Sequence, residues 1–340
     1  MIPIYTGQTE EELPNVLKNS PNGRYVDEAY PFIWKELHKK GYMSIYLDDA
    51  SKASAFNYRL KGFSNNTCHH YFKHYQHRLA EILYNKYYKS KKGKEDDFCV
   101  GAKKRHRVQL DLLFDFKKIY KKSKNIAIMH YTENSHQTNE KFNWVDNDLY
   151  DFLSNGYNNK LFDNTAIFLY SDHGSRFVDK RSSHNRYLEE RLPFFSIYLP
   201  EKYKLNNPIK YNNLKMNTKL LTSPFDIYST VRDLTCLDSI TNKQFPMRSI
   251  SLFNKIPIER NCEHIGISDH FCTCVQDWKT ESISSSLAVK AAKFTVSVIN
   301  QIIEPASSQC TELSFWKVIS FYYFTKSSSL RVCTYKCVQK

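Results

Sequence analysis

The 340-residue sequence predicts an α/β fold: a mostly parallel sheet with helices on both faces, joined to a smaller cysteine-bearing C-terminal region. Three observations predict it. Apolar runs of strand length alternate with segments of helical apolar spacing through the first two thirds of the chain. Helices between short apolar strands fit a parallel sheet covered on both sides. From about Phe253 the alternation is lost, and six of the nine cysteines lie beyond it (Cys262, Cys272, Cys274, Cys310, Cys333 and Cys337). The expected division is residues 1–252 for the α/β domain and residues 253–340 for the cysteine-bearing region.

The elements are taken in chain order. "YPFIWKELHKKGYMSIYLDDA" reads as a helix ending at Gly41 and a strand over residues 42–47. "HRVQLDLLFDFKKIYKKSKNIAIMHYTENSH" repeats the pattern. Its helix carries Val108, Leu112, Leu113, Phe116, Ile119 and Tyr120 at helical spacing, and its strand spans 126–131. "DNDLYDFLSNG" is a third helix, followed by a strand over 165–170, and "RLPFFSIYLP" supplies a further strand. In "LTSPFDIYSTVRDL", Ser223 caps a helix, Pro224 fits its first turn and Asp226 takes the capping-box position. Phe225, Ile227, Tyr228, Val231 and Leu234 are its expected core face. "SSSLAVKAAKFTVSVINQII" is one more helix. The apolar run 315–324 contains Lys317 and is too short to cross a bilayer, so it is assigned to core.

Composition narrows the function. Aromatic residues make up 15% of the chain, too many for a disordered one. No apolar run reaches the ~18 residues of a spanning helix, so no transmembrane segment is expected. The start, "MIPIYTGQTEEELP", lacks the basic and apolar regions of a signal peptide. The net charge of +14 peaks at residues 86–97 and 101–110. Such peaks are either solvated loops and helix faces or a functional basic patch. No helix-turn-helix, zinc-finger or aromatic RNA-binding signature accompanies them, so no specific nucleic-acid partner is expected. The clustered cysteines fit disulfides, buried thiols or a zinc site drawn from Cys262, His264, His270, Cys272 and Cys274, whose spacings depart from the usual zinc signatures. Asn65-Asn66-Thr67 is a single glycosylation sequon.

Chemistry-bearing residues gather where three expected strands end: Asp48 with Asp49, Glu133 with His136, and Asp172 with His173. Carboxyl ends of strands are where sites form in such sheets, although loops are polar there in any case. Asp and neutral His are ordinary ligands of divalent ions. A glycine directly after them, Gly174, makes the turn that brings both to one ion inexpensive.

"LYSDHGSRF" also resembles the second metal-binding motif of the alkaline phosphatase/sulfatase superfamily. "PIYTGQTEEELP", "FNYRLKGF", "HHYFKHY", "ENSHQTN", "YLEERLPFFSIYLP", "LTSPFDIYSTVRDL" and "SLFNKIPIERNCEHIGISDHFCTC" occur in the order of one animal family within it. That family is nematode-rich and known as a domain of unknown function, and the likeness covers roughly residues 1–280. The resemblance implies that Asp172 and His173 ligate a divalent metal (Zn, Mn or Ca). It gives His136 to the substrate or a second metal, and leaves the role of Asp49 open. Arg176 and Arg181 would hold an anionic group, unless they form surface salt bridges. The implied activity is hydrolysis of a phosphate or sulfate ester on a small molecule, glycan or lipid, in the extracellular or secretory space. In this superfamily the first strand carries another metal-binding Asp and the nucleophile. "TGQTEEELP" resembles the segment after that nucleophile, so the chain is expected to be N-terminally truncated and inactive alone. His69 and Lys73 stand where the family pattern has Asp and Arg. Around Ser183 and Arg186 it would have Thr and Gly. These departures loosen the expected anion pocket. The alternative is a non-catalytic secreted binding protein that retains the fold.

Overall fold

A computed structural model describes residues 1–13, 25–49, 56, 60–64, 68–83, 99–132, 135, 140–174, 184–239, 243–268, 270–274, 278–280, 282–324 and 331–339. The protein is α/β, with a small parallel sheet, flanking helices and a cysteine-bearing C-terminal region. It divides into two compact units, one of Met1–Lys180 with Pro193–Arg260, the other of Arg181–Leu192 with Asn261–Lys340.

The first unit begins with helices α1 (Ile2–Thr6), α2 (Val26–Ala29) and α3 (Ile33–Lys39), then strands β1 (Met43–Asp48) and β2 (His70–Tyr71). Helix α4 (Lys73–Leu83), the short strands β3 (Cys99–Val100) and β4 (Lys103–Lys104), helix α5 (Arg105–Ile119) and strand β5 (Asn125–His130) come after them. Next come α6 (Asn143–Asn158) and β6 (Ile167–Tyr170). Helix α7 (His184–Arg191) belongs to the second unit. The first unit resumes with β7 (Phe195–Tyr198), α8 (Glu201–Asn206), α9 (Pro208–Asn217) and α10 (Pro224–Leu234).

Strand β1 is central, with β2 and β5 parallel on either side. Its side chains alternate between two cores, as the period of two requires. Tyr46 joins Tyr5, Phe32, Trp34 and Phe56, together with Ile227 and Tyr228 of α10. Ile45 and Leu47 turn the other way, onto Phe116 of α5. Strand β5 splits likewise, Ile126 and Ile128 to the first core, Ala127 and Met129 to the second. The sheet is therefore covered by helices on both faces. The first core is built on aromatic contacts: Phe32 stacks on Trp34 at 4.2 Å, and Tyr5 meets Trp34 edge-on at 5.4 Å. Gly7 ends α1 in the left-handed region, at φ 70°, and a Cβ there would lie 2.6 Å from the Tyr228 ring.

Strands β6 and β7 pair antiparallel, an arrangement the alternation of helix and strand did not indicate. Helix α5 is also rotated from its sequence expectation. Its buried residues are His106, Gln109, Leu110, Phe116 and Lys117, whereas Ile119 is 73% exposed. Polar contacts set that rotation: His106 Nε2 lies 2.8 Å from Asp148, and the Lys117 amine donates to Asn125 at 2.6 Å. The basic stretch around it is paired internally, Lys104 with Asp148 at 2.7 Å, Lys103 with Asp111 at 2.9 Å and Arg107 with Asp111 at 3.2 Å. The stretch 86–97 lies outside the described residues.

In the second unit, β8 (Trp278–Thr280), α11 (Ser286–Ile303), β9 (Leu313–Phe324) and β10 (Arg331–Gln339) form an antiparallel sheet of order β10-β9-β8 under one helix. Ala288 and Ala292 of α11 pack on Val318 and Phe321. The run assigned to core is thus half core: Trp316 and Ile319 are exposed, because each is the extra residue of a bulge where β9 slips one position against β10. Cys262 and Cys272 form a disulfide, whereas Cys274 and Cys310 are free thiols. The side chains of Cys333 and Cys337 lie outside the description. Tyr187 and Arg191 of α7 donate to the carbonyls of Cys272 and His270, at 2.6 and 2.9 Å. Among the described residues, no helix is long and apolar enough to cross a membrane.

Helix α10 carries the expected cap. Asp226 accepts from the Ser223 backbone N–H at 2.7 Å and its hydroxyl at 3.1 Å. The same carboxylate, completely buried, is gripped by Arg260 through two bonds of 2.9 and 2.8 Å. Burial raises the Asp226 pKa, and the Arg260 guanidinium opposes that rise. Removing one partner strands a buried charge. Arg260→Met is expected to lower stability in urea unfolding by about 3–5 kcal/mol. A loss under about 1 kcal/mol, the scale of a surface pair, would show that the pair is not structural.

Candidate functional site

The carboxyl ends of β1, β5 and β6 supply the site. Parallel pairing of β1 with β5 runs in register to its last position, where Asp48 stands opposite His130. His130 Nδ1 lies 3.7 Å from Asp48 Oδ2, and the same oxygen accepts from the Tyr46 hydroxyl at 3.0 Å. Asp49, also buried, accepts from the Thr132 backbone N–H at 2.7 Å, so it anchors the segment that leaves β5. Its own carbonyl receives Arg105 at 2.8 Å.

Strand β6 ends in a pinned turn. Ser171 N–H donates to the Phe194 carbonyl at 3.0 Å, and Phe194 N–H donates back to the Ser171 hydroxyl at 3.1 Å. Asp172 and His173 come directly after. The His173 backbone N–H donates to Asp172 Oδ1 at 3.1 Å, and its ring Nδ1 lies 2.7 Å from the Gly174 carbonyl. A carbonyl only accepts, so Nδ1 carries the proton and Nε2 the lone pair. Nε2 stands 3.8 Å from Asp172 Oδ2. Two ligand atoms at that separation, with the tautomer fixed by a carbonyl, fit a shared divalent ion whose bonds are about 2.0–2.2 Å.

The strand ends share one electrostatic environment. Burial alone would lower the His130 pKa. The Asp48 carboxylate, with Asp172 and Asp49 adding to it, outweighs burial and leaves it above the ordinary histidine value. Within reach of the Asp48 and Asp172 charges lies a partly buried hydroxyl pair, Tyr5 and Tyr170, at 2.7 Å. Burial first, then each other and the nearby carboxylates, push Tyr5 well above its usual range. Burial likewise pushes Tyr170 up to about 12, with Asp172 reinforcing it. Both phenols remain protonated.

Of the residues that the sequence pointed to at the strand ends, Asp48, Asp49, Asp172 and His173 are described. Glu133, His136, Arg176 and Arg181 lie outside the described residues. Among the described residues, no third carboxylate, imidazole or thiol joins Asp172 and His173 within 4.8 Å. The only such trio among them is Cys262, Cys272 and Cys274, two of which are disulfide-bonded. The sequence reading passed over His130. Its signal is positional: it closes the apolar run "NIAIMH" as Asp48 closes "MSIYLD".

Fold and site together define an α/β protein with an acid–histidine cluster at the carboxyl end of a parallel sheet. The family described as "Protein of unknown function (DUF229)" matches residues 1–319, and the chain belongs to it. No curated protein and no solved structure matches the chain.

Because His130 has a raised pKa in the fold, its stabilising contribution is present below the unfolded value of about 6.5 and is lost as pH rises through the folded pKa. His130→Gln should therefore destabilise the protein more near pH 5.5 than near pH 9. Urea unfolding at the two pH values measures the difference. An equal loss at both would mean that His130 and Asp48 are not electrostatically coupled.

Proposed function

We propose that the protein is a metal-dependent hydrolase domain of the phosphatase/sulfatase type, acting on phosphate or sulfate esters. One observation carries the reading: Asp172 and His173 leave β6 with Nε2 and Oδ2 turned toward each other, close enough to the paired Asp48 and His130 for Asp172 to help raise the His130 pKa. Asp172 and His173 would hold the ion. A bound divalent cation supplies Lewis-acid polarisation of the ester oxygen and lowers the pKa of a nucleophile. His130, whose pKa Asp48 holds above the ordinary histidine value against the effect of burial, supplies a positive group when protonated. Arg176 and Arg181 are the proposed anion-holding cations, and His136 a proposed substrate or second-metal residue. The nucleophile is not assigned within this chain. The disulfide Cys262–Cys272 supports a place in the secretory pathway or outside the cell.

A second reading, a binding protein that retains the fold, is favoured by the absence of a third ligand within 4.8 Å of the Asp172–His173 pair among the described residues. Calorimetric titration with Zn2+, Mn2+ and Ca2+ separates the two. The hydrolase reading expects binding of one of them, weakened at least about tenfold in Asp172→Ala and in His173→Ala, since even outer partners of a metal act on that scale. It also expects turnover of an aryl phosphate or aryl sulfate by the natural full-length protein carrying that metal. No saturable metal binding by wild type, or affinity unchanged in both variants, would sink it.

A further inference from the structure

A second polar cluster sits toward the amino end of β1, around the buried hydroxyl of Ser44. His38 of α3 places Nε2 2.6 Å from Ser44 Oγ. His69, directly before β2, places Nδ1 3.1 Å from the same oxygen and 3.2 Å from the Ser44 backbone nitrogen. The His69 backbone N–H returns a bond to Ser44 Oγ at 3.1 Å. The two imidazole rings meet edge to face at 4.5 Å.

The partners dictate the proton positions. A backbone N–H only donates, so His69 Nδ1 carries a lone pair and its proton sits on Nε2. The Ser44 hydroxyl gives its one proton to that Nδ1 or to His38 Nε2, whose tautomer follows, and its oxygen accepts from the His69 backbone N–H. Every group is satisfied with both rings neutral. A proton added at His69 Nδ1 would face the Ser44 backbone N–H, which cannot rotate away. The His69 side is exposed to solvent, so a proton can arrive.

We propose that His38, Ser44 and His69 form an acid-sensitive latch, which holds the edge strand β2 on β1 at neutral pH and releases it when His69 Nδ1 is protonated. Strand β2 is easily released, because it is two residues long and pairs with β1 alone among the described strands. The titratable neighbours do not counter the effect. From α3 the group facing His69 is His38. Burial, and then His69 itself, hold His38 below the ordinary histidine value. Burial pushes the Cys68 thiol up to about 12, against a smaller opposing effect of the Ser44 hydroxyl, so it stays neutral. His70 of β2 turns to the Tyr120 hydroxyl at 2.8 Å, and Lys73 of α4 to the Lys61 carbonyl. Because His38 resists charging, its contribution is present above the unfolded histidine value of about 6.5 and is lost as pH falls.

The test compares wild type with His69→Asn, whose side-chain oxygen can accept from Ser44 N–H at any pH. Amide hydrogen exchange of residues 44 and 70–71 is monitored from about pH 7.5 to about pH 5, the span over which histidine charges. After correction for intrinsic rates, wild type is expected to exchange at least about tenfold faster at the acid end, and the variant to remain flat. Parallel pH profiles in the two proteins would overturn the latch. If His69→Asn fails to fold, imidazole nitrogen shifts of wild type decide: Nδ1 unprotonated at neutral pH, with exchange rising as it protonates, supports the proposal. A proton on Nδ1 at neutral pH refutes it.

Discussion

The register of β5 on β1 is the constraint on which the carboxyl end of the sheet depends. Six consecutive parallel pairs, Met43 with Asn125 through Asp48 with His130, leave no freedom in which residues meet. A slip of one position would exchange the two faces. Tyr46 would leave the aromatic core, and Ile45 and Leu47 would lose Phe116. The two cores therefore fix the register, and the register places the acid beside the imidazole. No single contact at the site is strong enough to do this alone. An ion pair at 3.7 Å contributes little beside the burial of the strands that carry it.

Much of this fold can be read from the sequence, because apolar periodicity is local. The helix before β1, the helix before β5 and the capped helix α10 are all legible in spacing and capping residues. The long-range contacts are not. Asp226 looks like a capping acid, and it is one, but its grip on Arg260 joins residues 34 apart in the chain. The rotation of α5 is set by Asp148 and Asn125, so Ile119 faces solvent despite its fit to the apolar stripe. His130 reads as the first polar residue of a loop until its strand is laid beside β1. Asp172 and His173 are visible as a motif. Their geometry depends on Phe194, which a reading of residues 170–174 cannot supply.

The Ser44 cluster shows the same limit in another form. His38 and His69 lie on either side of the strand in sequence, and neither carries a motif. Ser44 alone, a small polar residue in an apolar strand, is the anomaly. A buried hydroxyl has to be satisfied, and three groups from two flanking segments converge to do so. That requirement ties α3 and the approach to β2 to the amino end of β1, while Asp49 ties the segment after β5 to the carboxyl end through Thr132.

Charge links the proposed ion to the proposed substrate. The chain carries +14 overall, yet Asp48, Asp49 and Asp172 concentrate negative charge at one end of the sheet. A phosphate or sulfate ester is repelled by such a cluster, by about 4 kcal/mol for each unit charge at 4 Å under a surface-like effective dielectric. His130, when protonated, offsets part of that charge. Excess negative charge there has to be offset before an anion can approach, and a divalent ion on Asp172 and His173 would do that while acting on the ester. In the basic stretch at residues 103–107, Lys103, Lys104 and Arg107 are paired with Asp111 and Asp148, and Arg105 reaches the Asp49 carbonyl. The proposed ion would thus ease the approach of an anionic ester, together with the proposed Arg176 and Arg181. The substrate class and the cation are one proposal, and they stand or fall together.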